Sequence, residues 1–245
     1  MSKLNKMISL KDFKVKIFAD VADLTEMKKL YQEGTVKGFT TNPTLLKKSG
    51  VADYEAFARE VLKIILDLPI SLEVFSDDFE SMAQEARVIA AWGKNVNVKI
   101  PITNTRGESS IPLIKKLSAE GLFLNITAIL KPEQVAALSE AIHPESKTIV
   151  SIFAGRIADT GRDPVPYIKE AVKILKNRPH AEVLWASSRE LLNIFQAESA
   201  GCHIITLTGD ILKKLPLIGK DLKELSLDTV KMFYNDSRQI KNPFN

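Results

Sequence analysis

A chain of 245 residues, 45% hydrophobic and 26% charged, is long enough to bury a large core, and its composition excludes disorder over most of its length. Its 34 basic and 30 acidic residues leave a net charge of +4, which admits an anionic partner without demanding nucleic acid, and its 17 aromatic residues are scattered rather than clustered into a stacking platform for single strands. The single cysteine, Cys202, excludes an internal disulfide framework or a Cys-rich zinc module and points to the reducing cytosol.

The first residues, MSKLNKMISLKDFK, mix lysine with apolar residues and lack a continuous apolar run, unlike a signal peptide. No stretch approaches the ~18 apolar residues of a membrane span. From there the chain alternates. A β-rich run over 15–20 precedes a helical pattern over 24–32, and a run over 36–41 precedes a helix over 54–66. Strands are then predicted at 70–76, 96–102, 122–128 and 148–154, with helices at 79–92, 111–119, 132–141 and 164–176. A seventh strand at 182–187, a helix at 188–200 and an eighth strand at 203–208 follow, and one more helix starts after Asp221. Lys131-Pro132-Glu133 and Asp163-Pro164 read as helix starts. Gly34, Gly93, Gly121 and Gly201 read as helix stops.

Eight β-runs separated by helices imply parallel strands joined by right-handed crossovers. In 245 residues this suits a closed (β/α)8 TIM barrel better than an open doubly wound sheet. No glycine-rich dinucleotide fingerprint follows any strand. The expected organisation is one barrel domain over 1–245, with 221–245 an extra helix and tail packed on the barrel or on a neighbouring subunit.

Polar residues inside the strands carry the functional signal. Side chains alternate faces along a strand, and one face lines the barrel interior. In VNVKIPI, Val96, Val98 and Ile100 share the helix-facing side, so Asn97 and Lys99 point inward. The same parity turns Asp20, Glu73, Asn125, Thr127, Ser151 and Phe153 inward. Glu73, Lys99, Asn125 and Ser151 follow at intervals of 26 residues, which predicts similar heights on neighbouring strands near their C-terminal ends, where barrel active sites are built. A lysine removed from water favours its neutral amine, and a neutral amine attacks carbonyls to form a Schiff base. An inert Lys99–Glu73 ion pair would explain the lysine alone. It does not explain so many polar groups on one face at one end. Arg156 follows the sixth strand, and Arg189 follows the seventh beside Ser187, that strand's last residue, a chemistry suited to phosphate. Cys202 and His203 are adjacent and face opposite sides, and His143 and His180 precede strands, so no metal spacing is present. Ser151 has no histidine partner in view for a triad.

With these residues in place the sequence resembles the transaldolase family. The carrying segments are GFTTNPTLL (38–46), VNVKIPIT (96–103), LNITAI (124–129), SIFAGRIAD (151–159) and WASSRE (185–190), in family order. The resemblance implies that Lys99 forms a Schiff base with a ketose phosphate and that Asp20 takes the C4 hydroxyl proton. It implies that Glu73, through a water held by Thr127, moves protons during carbinolamine formation and loss. Asn42 and Asn125 would orient the intermediate, Ser151 would bind a donor hydroxyl, and Arg156, Ser187 and Arg189 would hold the phosphate. No metal or organic cofactor is implied. The implied partners are sugar phosphates, with no nucleic acid and no membrane, in a cytoplasmic homo-oligomer of the pentose phosphate pathway.

The chain looks like the small, compact branch, which also contains aldolases releasing free dihydroxyacetone from fructose 6-phosphate. Those carry Gln at the position of Glu73 and Tyr at that of Phe153, so the resemblance favours transfer. The rivals are that aldolase reaction and a catalytically silent sugar-phosphate-binding barrel. Three departures from the family pattern bear on pocket shape and acceptor preference: Val21 after Asp20, Trp185 in place of a small residue, and a longer loop, TNTRGESS, after Lys99.

Overall fold

Eight parallel strands close on one another in chain order: β1 (Lys16–Asp20), β2 (Phe39–Thr40), β3 (Ile70–Glu73), β4 (Val96–Pro101), β5 (Leu124–Ile129), β6 (Thr148–Ile152), β7 (Ala181–Trp185) and β8 (Ile204–Leu207), with β8 returning to β1. This computed structural model describes residues 13–241. The N-terminal segment 1–12 and residues 242–245 of the predicted tail lie outside the described residues.

Helices α1 (Leu24–Glu33), α2 (Pro43–Lys48), α3 (Tyr54–Ile64), α4 (Phe79–Ala90), α5 (Ile111–Ala119), α6 (Pro132–Ala141), α7 (Ala154–Ala158), α8 (Val165–Ile174), α9 (Leu192–Ser199) and α10 (Gly209–Leu212) link or follow the strands. The architecture is the expected (β/α)8 barrel. Local chemistry sets the helix starts. Asp23, Asn42, Asp53 and Asp78 each accept a hydrogen bond from the N–H three residues on, satisfying a donor that the first turn leaves free. Gly34, Gly121 and Gly201 adopt the left-handed conformation at helix ends, as predicted. Gly93 does not, because α4 already stops at Ala91, whose N–H bonds to Arg87.

Three short helices, α2, α7 and α10, were not predicted. Asn42 caps α2, which cuts the expected second strand back to two residues. The helix expected from Ser188 begins at Leu192, because the Asn193 side chain accepts from the Arg189 and Glu190 N–H groups and holds 188–191 as a loop.

The interior is built in two shells. Ile17, Leu72, Val98, Ile126, Val150 and Val183 face the helices in the main core. Inside the barrel Phe18, Ile149, Leu184 and Ile204 form an apolar plug. Gly38 permits it: a Cβ there would stand 2.5 Å from the Phe18 ring. A last helix, α11 (Leu222–Ser237), buries none of its residues, and Leu222, Leu227, Val230, Phe233 and Tyr234 are exposed along it. Among the described residues no helix is long and apolar enough to cross a membrane.

Candidate active site

Strand register sets the site. Glu73 pairs with Lys99, and Lys99 with Asn125, so three of the four residues spaced by 26 stand at one height, as predicted. The fourth does not: Asn125 pairs with Ile149, which leaves Ser151 two residues further up β6. Strand tilt and stagger in a closed barrel make such steps unavoidable. Ser151 still reaches down, its hydroxyl donating to Asn125 Oδ1 at 2.7 Å.

Above the plug lies a cavity of about 410 Å³, a size suited to a small metabolite. Asp20, Asn42, Glu73, Lys99, Asn125, Thr127, Ser151, Phe153, Arg156 and Ser187 all line it. Lys99 is 6% exposed. Its Nζ donates to Glu73 Oε2 at 2.9 Å and to the Thr41 carbonyl at 3.0 Å. Asp20 accepts from Thr40 Oγ1 at 2.8 Å. Burial pushes the Asp20 carboxyl above its ordinary value, against the pull of Lys99 and the Thr40 hydrogen bond, with the Glu73 charge pushing the same way as burial. A carboxyl held this way is a candidate proton acceptor.

Asn125 is fully buried, and its Nδ2 donates to Ser71 Oγ at 2.9 Å. With the Ser151 bond this locks the carboxamide from both ends. Thr127 Oγ1 is buried and has no partner among the described residues, a hydroxyl free for a ligand. Beside it Ala128 takes a left-handed φ of 61° where the β5–β6 register shifts. Such strain and bulges concentrate at binding sites. Asn42 presents its side chain here as the α2 cap, accepting from the Leu45 N–H.

The arginines divide. Arg156 lines the cavity and forms no ion pair among the described residues. Arg189 does not line it. Its guanidinium forks onto Asp159 at 2.9 and 2.5 Å, and its Nη1 donates to the Ser187 hydroxyl and carbonyl. Ser187, at φ 65°, packs its carbonyl where a Gly155 Cβ would stand, 1.6 Å away. Only glycine fits at 155 with this loop path.

The departures fall outside the cavity lining. Val21 and Trp185 are buried in the main core between barrel and helices, so neither shapes the pocket. The loop after β4 folds back through a Thr103–Ser109 bridge, and Thr105 anchors it to Asp77 with bonds of 2.7 and 2.6 Å. Sequence reasoning missed Thr40, Ser71 and the Thr41 carbonyl. Parity alone would have turned Ser71 inward with Glu73. Cys202 is buried and its thiol is pushed up to about 12 by burial, so it offers no thiolate. Among the described residues no three His, Cys, Asp or Glu side chains gather as a metal site.

A model of the family described as "Transaldolase/Fructose-6-phosphate aldolase" matches residues 17–243. The chain belongs to this family. It is 36% identical over 213 residues to a probable transaldolase 2 of Listeria monocytogenes, covering 85% of this chain and 93% of that one. It is 37% identical over 231 residues to a probable transaldolase of Nitrosopumilus maritimus, covering 93% and 96%. Among solved structures, a dihydrodipicolinate synthase of Thermotoga maritima superposes with a TM-score of 0.61 at 14% identity, covering 94% of this chain and 85% of that one, a likeness of fold alone. Family membership makes this chain an enzyme of the transaldolase and aldolase type, with Lys99, Glu73 and Asp20 gathered at the mouth where barrel chemistry is done.

Proposed function

We propose that the protein is a transaldolase, moving a dihydroxyacetone unit from a ketose phosphate such as fructose 6-phosphate or sedoheptulose 7-phosphate to an aldose phosphate. The observation that carries this is the Lys99 amine, buried in the barrel with Glu73 Oε2 at 2.9 Å and Asp20 lining the same cavity.

The steps follow from those groups. Passing a proton from Lys99 to Glu73 leaves a free amine and a neutral acid without changing the net charge of the pair. The amine attacks the C2 carbonyl of the ketose and gives a carbinolamine. Glu73 then returns a proton to the departing hydroxyl, water leaves, and an iminium remains. Thr127, with its unpartnered hydroxyl in the same cavity, holds the water that relays these protons. The iminium draws in the electron pair of the C3–C4 bond as that bond breaks. The C4 hydroxyl proton passes to Asp20, the aldose phosphate departs, and an enamine stays on Lys99. Attack of the enamine on the acceptor aldehyde reverses these steps, and hydrolysis frees the new ketose and the lysine.

Asn125, locked by Ser71 and Ser151, and Asn42 orient the enamine hydroxyls. Ser151 contacts a donor hydroxyl, and Phe153 walls the pocket. Arg156 meets the phosphate directly with Ser187. Arg189 joins by trading its Asp159 fork for the phosphate, one anion for another.

Borohydride reduction in the presence of fructose 6-phosphate tests the reading. A stable adduct should map to Lys99 and be absent from Lys99→Met, whereas an adduct on a different lysine would sink it. Glu73 and Phe153 support transfer over release of free dihydroxyacetone. Product formation should therefore depend strongly on added erythrose 4-phosphate. Free dihydroxyacetone at full rate without an acceptor makes the chain an aldolase instead.

A further inference from the structure

A second cavity, about 760 Å³ in volume, opens at the opposite, N-terminal mouth of the barrel. The apolar plug separates it from the catalytic cavity: Phe18 and Ile149 form its floor, while Leu184 and Phe153 face the other side. Nothing in the proposed chemistry uses it.

Its charge is one-sided. Lys16, Lys37, Lys94 and Lys147 line it against two acids, Asp67 and Glu182. Lys16 is paired with Glu182 at 2.5 Å, and Asp67 accepts from the Tyr31 hydroxyl. Lys37 and Lys94 are exposed and carry no ion pair among the described residues. Lys147 sits over the Phe123 ring with Nζ 5.0 Å from its centroid, an arrangement that holds the ammonium at the rim.

At the bottom are two further donors. Asn97 is 7% exposed, lines the cavity from β4, and its carboxamide has no hydrogen-bond partner among the described residues. Its amide is not among the polar atoms shut off from solvent, so it opens onto the cavity, where a ligand oxygen can take the place of water. His203 accepts the Val183 N–H on Nδ1 at 2.9 Å, which assigns the ring proton to Nε2 as a donor. Burial holds the imidazole below its ordinary value, and the ring remains neutral at pH 7.

From this geometry we infer that the N-terminal mouth is a second ligand site, selective for a small phosphate-type anion of two or more charges. The rim ammonium groups meet its charge, and Asn97 and His203 bond its deepest oxygen atoms. A bowl of this size takes one small molecule, whereas a nucleic-acid chain needs a continuous stripe. The chain's own residues 1–12 carry three lysines and one aspartate, the sign of the rim, which argues for a separate anion as occupant.

Lysine acetylation of the full chain, read residue by residue by mass spectrometry with and without millimolar inorganic pyrophosphate, tests this. Acetylation of Lys37, Lys94 and Lys147 should slow at least fivefold, while Lys115 and Lys116 on α5 keep their rates. In Lys37→Glu/Lys94→Glu, two exposed positions outside the core, the protection of Lys147 should vanish. Protection below fivefold, equal slowing of Lys115 and Lys116, or Lys147 protection that survives the charge reversal overturns the proposal. The readout involves no turnover, so it stands or falls apart from the transaldolase reading.

Discussion

Ser71→Ala isolates the interaction that holds Asn125 in place. In the native chain Asn125 Nδ2 donates to Ser71 Oγ at 2.9 Å, and its Oδ1 accepts from Ser151 at 2.7 Å. Both Ser71 and Asn125 are fully buried, so water does not replace the lost acceptor. The substitution deletes one oxygen, opens little space, and strands one donor. The expected cost is that of a buried unpaired polar group, about 1–3 kcal/mol. For a chain of this size each kcal/mol moves the midpoint by roughly 2–4 °C, so thermal unfolding followed by circular dichroism should show a drop of about 2–12 °C. Ser71→Ala/Asn125→Leu removes donor and acceptor together and should cost less than the two single changes summed, which is the signature of direct coupling. The freed carboxamide should also lower kcat more than it raises KM, because orientation of the intermediate is lost while phosphate contacts remain. A Ser71→Ala midpoint within about 1 °C of the parent, or strict additivity in the cycle, would refute the locked-carboxamide argument.

Thr40→Val removes the hydroxyl that stabilises the charged form of Asp20, so the acidic limb of the pH–rate profile should move to higher pH while imine trapping at Lys99 persists. Thr40→Ser should restore the limb, and an unmoved limb in Thr40→Val removes Asp20 from the base role. Asp20→Asn should be more stable than the parent at pH 7. The folded chain holds the Asp20 carboxyl above its ordinary value, so folding binds that proton more tightly and stability falls as pH rises through the folded value. The advantage should disappear below the unfolded carboxyl's value of about 3.9, and Asp20→Asn melting lower than the parent at pH 7 contradicts this. Finally, α11 buries none of its residues and exposes Leu222, Leu227, Val230, Phe233 and Tyr234, and we expect it to meet a neighbouring subunit. Ending the chain at Lys220 should lower the mass seen by light scattering while the far-ultraviolet spectrum of the barrel is kept, and an unchanged mass removes α11 from any interface.

How much of this was legible beforehand follows from what each feature depends on. Strand existence depends on local composition, and all eight strands were readable. Facing direction depends on two-residue parity, and Asp20, Glu73, Lys99, Asn125, Thr127 and Ser151 all line the cavity it indicated. Relative height depends on barrel stagger, a property of closure that no single strand carries, which is why Ser151 stands one pleat above Asn125. Hydrogen-bond partners depend on both. Parity turns Ser71 inward but does not name Asn125 as its partner, and Thr40 stays one β-former among others until β2 is set beside β1. Arg189 looked equivalent to Arg156 in sequence and differs only because Asp159, thirty residues away, reaches its guanidinium. The same limit explains the second mouth. Parity turned both Asn97 and Lys99 inward from β4, two residues apart. Which end of the barrel each serves is decided by the apolar layer that Phe18, Ile149, Leu184 and Ile204 close between them, so that one strand face supplies an amine to one cavity and an amide to the other.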